Sequence, residues 1–171
     1  RMQEVIEHEW GEGLINSWLT GWGDAPKRIG DKIATLIGAD FGEVIAADST
    51  SINIFKVVVA ALQANPTRKV VLSDSDNFPT DLYMLQGLES FAPDKIKVKI
   101  TESFDIDNQL NEEVSALLLT EVHYKTGLIT NMKEVTKKAH EVGALVIWDL
   151  SHSIGSIPID LNGCETDFAI G

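Results

Sequence analysis

The sequence predicts an α/β fold built on a mostly parallel sheet with flanking helices, and three observations carry that reading. Short continuous apolar runs recur along the chain, at Val70–Leu72, Ala116–Leu119 and Ala144–Trp148, of the kind buried on both faces of a parallel sheet. Stretches with apolar residues at helical spacing separate them, which is the alternation of βαβ units. Each run stops at a polar cluster, and ligands of open α/β sheets sit beyond the carboxyl ends of the strands. The last of the three stops most abruptly: Asp149 follows Trp148, and Ser151 and His152 come within three residues. An acid there can ligate a metal, bind a ribose, act as a general base or pair with a protonated heteroaromatic nitrogen. It can equally cap the turn that follows.

Composition bounds the rest. At 171 residues the chain fits one domain with a sizeable core, and 44% hydrophobic with 23% charged residues is ordinary for a soluble globular protein. A net charge of -12 disfavours nucleic acid and anionic membranes as partners. The single cysteine, Cys164, excludes an internal disulfide framework and fits a reducing cytoplasm. No apolar run approaches the length of a membrane span, and the first residues show no signal-peptide hydrophobic region. The four histidines, His8, His123, His140 and His152, show no metal-ligand spacing.

In chain order, residues 1–23 form a Gly-rich arm that holds three of the four tryptophans, Trp10, Trp18 and Trp22. Its composition suits a segment packed on something else, or an aromatic wall for a flat substrate. Asp24 and Pro26 then open a helix with Ile29, Ile33, Leu36 and Ile37 at helical spacing, and Gly38 closes it. We divide the chain accordingly into an arm and helix over 1–40 and a larger ligand-binding domain over 41–171.

An apolar segment, Ile45–Ala47, runs into the polar cluster Asp48-Ser49-Thr50-Ser51. The helix that follows places Ile52, Phe55, Val59 and Leu62 on one face. Hydroxyl residues at such a start are caps, or part of an anion site built with the free backbone N–H groups. No GxxxxGK[ST] or GxGxxG motif occurs, so a nucleotide P-loop and a dinucleotide fingerprint are unsupported. After the strand at Lys69–Ser73, the loop through Asp76 and Asn77 leads to Phe78 and a helix begun by Pro79, with Leu82, Leu85 and Leu88 turned inward. Phe78 thus lies between a strand end and a helix start, and Asp76 and Asp81 are candidate caps or ligands. Ile96, Val98 and Ile100 alternate with Lys97 and Lys99, the mark of a half-exposed strand near a sheet edge. The strand at Ala116–Leu119 ends in Thr120, and Asn131–Glu134 reads as a capping box opening a helix that turns Val135, Ala139 and Val142 inward. Asp167–Gly171 begins one more apolar run as the sequence stops, so a piece of a longer protein is expected.

Thr50 and Ser51, Phe78 to Asp81, Thr120, and Asp149 with His152 therefore converge on one crevice: an anion cradle, a flat aromatic face, a hydroxyl, and a carboxylate beside an imidazole. A phosphorylated aromatic cofactor with a basic ring nitrogen uses all of these, and pyridoxal phosphate is such a molecule.

Here the motifs become recognisable. Asp149-Leu150-Ser151-His152 resembles the Asp-x-x-His pattern of the class V aminotransferase superfamily of fold-type I pyridoxal phosphate enzymes. Asn77–Asp81, Val122–Gly127 and Cys164–Ala169 look like the kynureninase family, and the likeness runs from about Trp10 to Gly171. The resemblance implies that Thr50 and Ser51 contact the cofactor phosphate region and that Phe78 stacks on its ring. It implies that Pro79, Thr80 and Asp81 help fix the cofactor, that Thr120 touches it, that Asp149 pairs with its ring nitrogen and that His152 supports the site. The implied activity is hydrolysis of L-kynurenine, or its 3-hydroxy form, to anthranilate (or 3-hydroxyanthranilate) and L-alanine in tryptophan catabolism, by a cytoplasmic homodimer acting on a small aromatic amino acid. The family's Schiff-base lysine falls beyond Gly171; Lys125, Lys133, Lys137 and Lys138 do not match it. A superfamily relative such as a cysteine desulfurase-like lyase or an aminotransferase, and a non-catalytic α/β binding module, remain the alternatives.

Overall fold

Five strands, β1 (Val70–Asp74), β2 (Lys97–Thr101), β3 (Val114–Thr120), β4 (Leu145–Asp149) and β5 (Phe168–Ile170), pair in the order β2-β1-β3-β4-β5 in the computed structural model, which describes residues 1–171. Every pairing is parallel. The chain steps outward from β1 to β2 and then returns to lay β3 on the other side of β1, so the topological switch point lies between β1 and β3. β2 is an edge strand, and its lysine-bearing alternation is what an edge tolerates.

The chain has four longer helices: α1 (Ala25–Ile37), α2 (Thr50–Ala64), α3 (Pro79–Phe91) and α4 (Met132–Glu141). The chain separates into two compact units, Arg1–Ala47 and Asp48–Gly171. In the first, a helical turn at Met2–Glu4 widens into a π-helix over Val5–Gly13 and tightens into a 3-10 helix over Leu14–Trp18. Trp10 and Trp22 meet edge to face at 5.8 Å, and the Trp22 indole N–H donates to Glu9 Oε2 at 2.5 Å. α1 ends at Gly38 in the left-handed conformation, as expected. Its buried stripe is Gly30, Ala34 and Ile37, however, and Ile29 and Leu36 are exposed. Gly30 is needed because a Cβ there would fall 1.9 Å from the Val44 carbonyl oxygen. That close approach selects the small-residue stripe over the branched one. Ile45–Ala47 form no strand.

In the second unit α2 and α3 share one face of the sheet. Ile54, Val58 and Ala61 of α2 and Leu85 and Leu88 of α3 pack with Val71, Ala116, Leu118 and Ile147. The α2 stripe differs from the expected one: Ile52 is 46% and Phe55 41% exposed. α2 is apolar nearly all round, so spacing alone does not choose a face, and the sheet takes the stripe where Ala61 permits close contact. By alternation Leu72, Leu117, Leu119, Val146 and Trp148 point to the opposite face, where α4 lies. There the fully buried Trp148 donates from Nε1 to Thr136 Oγ1 at 3.1 Å.

Two side chains at the far end of α2 fix its direction. Asn65 Nδ2 donates to the carbonyls of Ser115 and Gly143, each at 3.2 Å, and Arg68 donates to those of Val114 and Val142 at 3.1 and 2.7 Å. These carbonyls lie where β3 and β4 begin. The start of α2, about 22 Å away at 1.5 Å per residue, therefore reaches the carboxyl ends of the same strands.

Thr136→Val keeps the shape of the α4 contact but leaves the Trp148 N–H buried without an acceptor. The expected loss is about 1–3 kcal/mol of folding stability, read from the denaturant midpoint at unchanged m-value; an unchanged midpoint contradicts the role given to this bond.

Candidate active site

Strand parity decides what faces the crevice. Thr120 and Asp149 stand side by side in register at the ends of β3 and β4, on the same face as Ala116, Leu118 and Ile147 and hence under α2 and α3. Ser73, one residue before the end of β1, is on that face too.

A network absent from the expected site ties these ends together. Ser73 Oγ donates to the Leu118 carbonyl at 2.8 Å and accepts from Asn77 Nδ2 at 3.1 Å. The Asn77 side-chain oxygen accepts from the Phe78 N–H at 2.8 Å and from the Thr120 hydroxyl. Asn77 is almost wholly buried and spans the switch point between β1 and β3. It sets the backbone angle at which Phe78 leaves the sheet and enters α3. Thr120 is bound into this strut.

Phe78 begins an aromatic cluster. Its ring lies 5.0 Å from Tyr124, at 73° between planes, and 5.9 Å from His152, while Tyr124 and His152 are 6.3 Å apart. Tyr124 and His123 were not among the expected site residues; they sit on a turn closed by bonds between His123 and Leu128 and between Gly127 and His123. The Thr126 N–H and hydroxyl both converge on His123 Nδ1, at 3.2 and 2.9 Å, so in the neutral ring the proton belongs on Nε2.

Asp149 is 1% exposed. Its Oδ1 accepts from both the N–H and the hydroxyl of Ser151, at 2.9 and 2.6 Å. The acid therefore does cap the following turn, one of its expected uses, through Oδ1, and Oδ2 takes no part in that cap. Beside it lies Asp81, in the first turn of α3, 0% exposed and with neither oxygen hydrogen-bonded. Burial, then repulsion from Asp149, pushes the Asp81 carboxyl up to about 7. The positive end of α3 favours the ionised form, but loss of hydration outweighs it. Neither acid forms a salt bridge.

Thr50 and Ser51 are the first two residues of α2, and their N–H groups have no acceptor within the helix. The cap itself is Ser49, whose Oγ accepts from the Ile52 N–H at 3.5 Å. α2 thus delivers unpaired amides and two hydroxyls to the same edge of the sheet as Asp149. Pro79 occupies the first turn of α3, where it needs no partner, and Thr80 is exposed. No ring or hydrogen-bond contact joins Thr50, Ser51 or Thr80 to the aromatic cluster. No group of three or more His, Cys, Asp or Glu is placed to hold a metal ion, and no helix is long and apolar enough to cross a membrane.

The arrangement asks for a particular guest. Two buried acids without a counter-cation favour a positive charge or a bound proton, and the neighbouring rings favour something flat. Unpaired helix N–H groups favour an anion. A flat ring with a protonated nitrogen and a phosphate meets all three demands.

Comparison with known proteins agrees. The profile of the aminotransferase class-V family matches residues 23–170. The kynureninase of Pseudomonas fluorescens is 44% identical over a 177-residue alignment, and that of Burkholderia pseudomallei strain K96243 is 46% identical. Each alignment covers all of this chain and 42% of the relative, so the chain spans less than half the length of these relatives. Among solved structures, a NIFS-like protein superposes with a TM-score of 0.79 at 15% identity, covering 98% of this chain and 48% of that one. The apo cysteine desulfurase of Thermococcus onnurineus NA1 gives 0.65 at 21%, covering 85% and 38%. At such identities these structures share the fold alone.

The raised Asp81 acidity has a signed consequence. Between its ordinary carboxylate pKa and about 7 the folded protein holds a proton that the unfolded chain releases. The stabilisation is complete below the ordinary value and is lost as pH rises through about 7. In the ligand-free protein, Asp81→Asn should therefore gain stability over wild type steadily from about pH 4 to about pH 7 and hold that gain above it. A difference that does not change with pH contradicts the buried acid pair.

Proposed function

Because this chain belongs to the aminotransferase class-V family, we propose that it forms the cofactor-binding part of a pyridoxal phosphate-dependent kynureninase, a hydrolase that converts L-kynurenine to anthranilate and L-alanine. The observation that carries this reading is the buried, cation-free pair of Asp149 and Asp81, the latter in the first turn of the helix that Phe78 caps. The 44–46% identity to proteins named kynureninase supports the choice within the family.

When bound, the cofactor supplies an electron sink for negative charge at the substrate's Cα. The chain's own residues make that possible. Asp149 holds the proton on the ring nitrogen, using the oxygen that Ser151 does not occupy. Asp81, which burial keeps protonated up to about pH 7, lets the pair carry a charge that one ring nitrogen can balance. Phe78 covers one face of the ring, and its angle is held by Asn77 and Thr120. The Thr50 and Ser51 amides and hydroxyls would receive the phosphate, Pro79 and Thr80 would help fix the cofactor, and the His152 ring, 5.9 Å from Phe78, would support the site.

The covalent anchor and proton carrier is assigned to a lysine in the part of the relatives' length that this chain does not cover. Lys125 lies on an exposed turn over the Tyr124 ring at 5.1 Å. Lys133, Lys137 and Lys138 belong to α4 on the opposite face, and Lys138 is paired with Asp107 and Glu134 at 2.6 and 2.9 Å. The same reading takes a small aromatic amino acid as substrate and a homodimer as the working assembly.

The full-length protein, supplied with pyridoxal phosphate and L-kynurenine, should release fluorescent anthranilate only when the cofactor is present. A Schiff-base absorbance band without product would transfer the reading to another member of the family. Neither signal would leave the crevice a structural feature. In the active protein Asp149→Asn should retain cofactor yet lower kcat/KM by about 100-fold or more, and wild-type activity in that variant refutes the ring-nitrogen role. Phe78→Ala should weaken cofactor affinity by about tenfold, read by absorbance titration; unchanged affinity returns Phe78 to the core.

A further inference from the structure

The N-terminal arm is built inside out. Ile6, Trp10, Leu14, Ile15, Trp18 and Leu19 are 50–88% exposed, so six of the nineteen large apolar side chains that the chain exposes fall within fourteen residues. Together they present on the order of 800 Å² of surface, whereas the largest apolar patch of a typical monomer is about 300–600 Å². The local helices gather them. In the π-helix over Val5–Gly13 a four-residue step is close to one turn, so Ile6, Trp10 and, just past its end, Leu14 follow one side. In the 3-10 helix over Leu14–Trp18 three residues make a turn, which sets Ile15 beside Trp18.

The polar groups of the arm are meanwhile turned in on one another. Ser17, 4% exposed, donates its hydroxyl to the Glu9 carbonyl at 2.5 Å. The Glu9 carboxylate receives the Trp22 indole N–H and pairs with Arg1 at 2.6 Å. Gly13 permits this fold, because a Cβ there would fall 2.3 Å from the Ser17 hydroxyl oxygen. A segment that meets only water does the reverse, exposing its polar groups and tucking in its apolar ones. These bonds hold the arm in shape with its apolar side outward, so little ordering is left to oppose docking.

Three observations select a second copy of the chain as what covers that side. The exposed area matches the roughly 800 Å² that each partner contributes to a stable complex. Each copy carries a net charge of -12, so two copies can meet only through uncharged surface, and none of the six side chains is charged. An apolar ridge also needs an apolar counterpart, and no other stretch of fourteen residues exposes more than three large apolar side chains. The class-V profile begins at residue 23, so the common family fold does not account for the arm.

We propose that the apolar side of the arm is a self-association surface, packed against the same side of a second copy's arm across a twofold axis. This names the contact of the homodimer taken above; it rests on that assembly and not on the reaction.

The test measures the mass of the full-length protein by sedimentation velocity, without substrate, so that a failure to form anthranilate bears on the reaction and not on this contact. Wild type should sediment as a dimer. Ile15→Glu/Leu19→Glu and Ile15→Lys/Leu19→Lys should each raise the dimer dissociation constant by about 100-fold or more, because each places like charges opposite one another. An equimolar mixture of the two variants should return to dimers, which a misfolded chain cannot do and which requires the arms to face each other. A monomeric wild type, variants that dimerise as tightly as wild type, or a mixture that stays monomeric overturns the proposal. Variants that dimerise normally would assign the ridge to another part of the full-length chain.

Discussion

Two carboxylates buried side by side, with no base between them, are the constraint around which the structure is arranged. Asp81 and Asp149 arrive from different elements, the first turn of α3 and the last residue of β4, and meet on the face of the sheet covered by α2 and α3. In a chain of net charge -12 such a pair costs stability unless something neutralises it. The protein does so in part by keeping a proton on Asp81. The remainder of the compensation is left to a cationic guest. A crevice destabilised without its ligand and stabilised with it binds that ligand with part of its own folding energy.

Precise placement of that pair depends on groups that do no chemistry. Asn77 joins β1, β3 and the start of α3 through four hydrogen bonds, and so fixes both Phe78 and the helix turn that carries Asp81. Asn65 and Arg68 pin the opposite end of α2 to the strand starts, and through a rigid helix they set where Thr50 and Ser51 lie. Behind the sheet, Trp148 with Thr136 supports the strand that ends in Asp149. The fold is shared with a NIFS-like protein and an apo cysteine desulfurase at 15–21% identity, so the layers alone do not decide the reaction.

Much of this was legible in the sequence, for identifiable reasons. Buried parallel strands are short and apolar throughout, so β1, β3 and β4 announce themselves, and the lysines of β2 mark the edge. Polar residues at each strand end mark the positions of Phe78, Thr120 and Asp149. Helix faces were less legible. α2 is apolar on several sides, and α1 buries a glycine because of a carbonyl from a later loop, which no local period reveals. The cap of α2 is Ser49, one residue before the hydroxyls that drew attention, because the helix begins at Thr50. Asn77 opens one of the recognised motifs but is given no role there, since its importance comes from partners 41 to 43 residues away, which no local pattern reveals.

The most direct test of the account is the protonation state of the ring nitrogen in the full-length protein, measured by nitrogen NMR with isotopically labelled pyridoxal phosphate at neutral pH. The acid pair described here predicts a protonated nitrogen in the wild type and a neutral one in Asp149→Asn. A neutral nitrogen in the wild type, or the same protonated signal in both proteins, would contradict it.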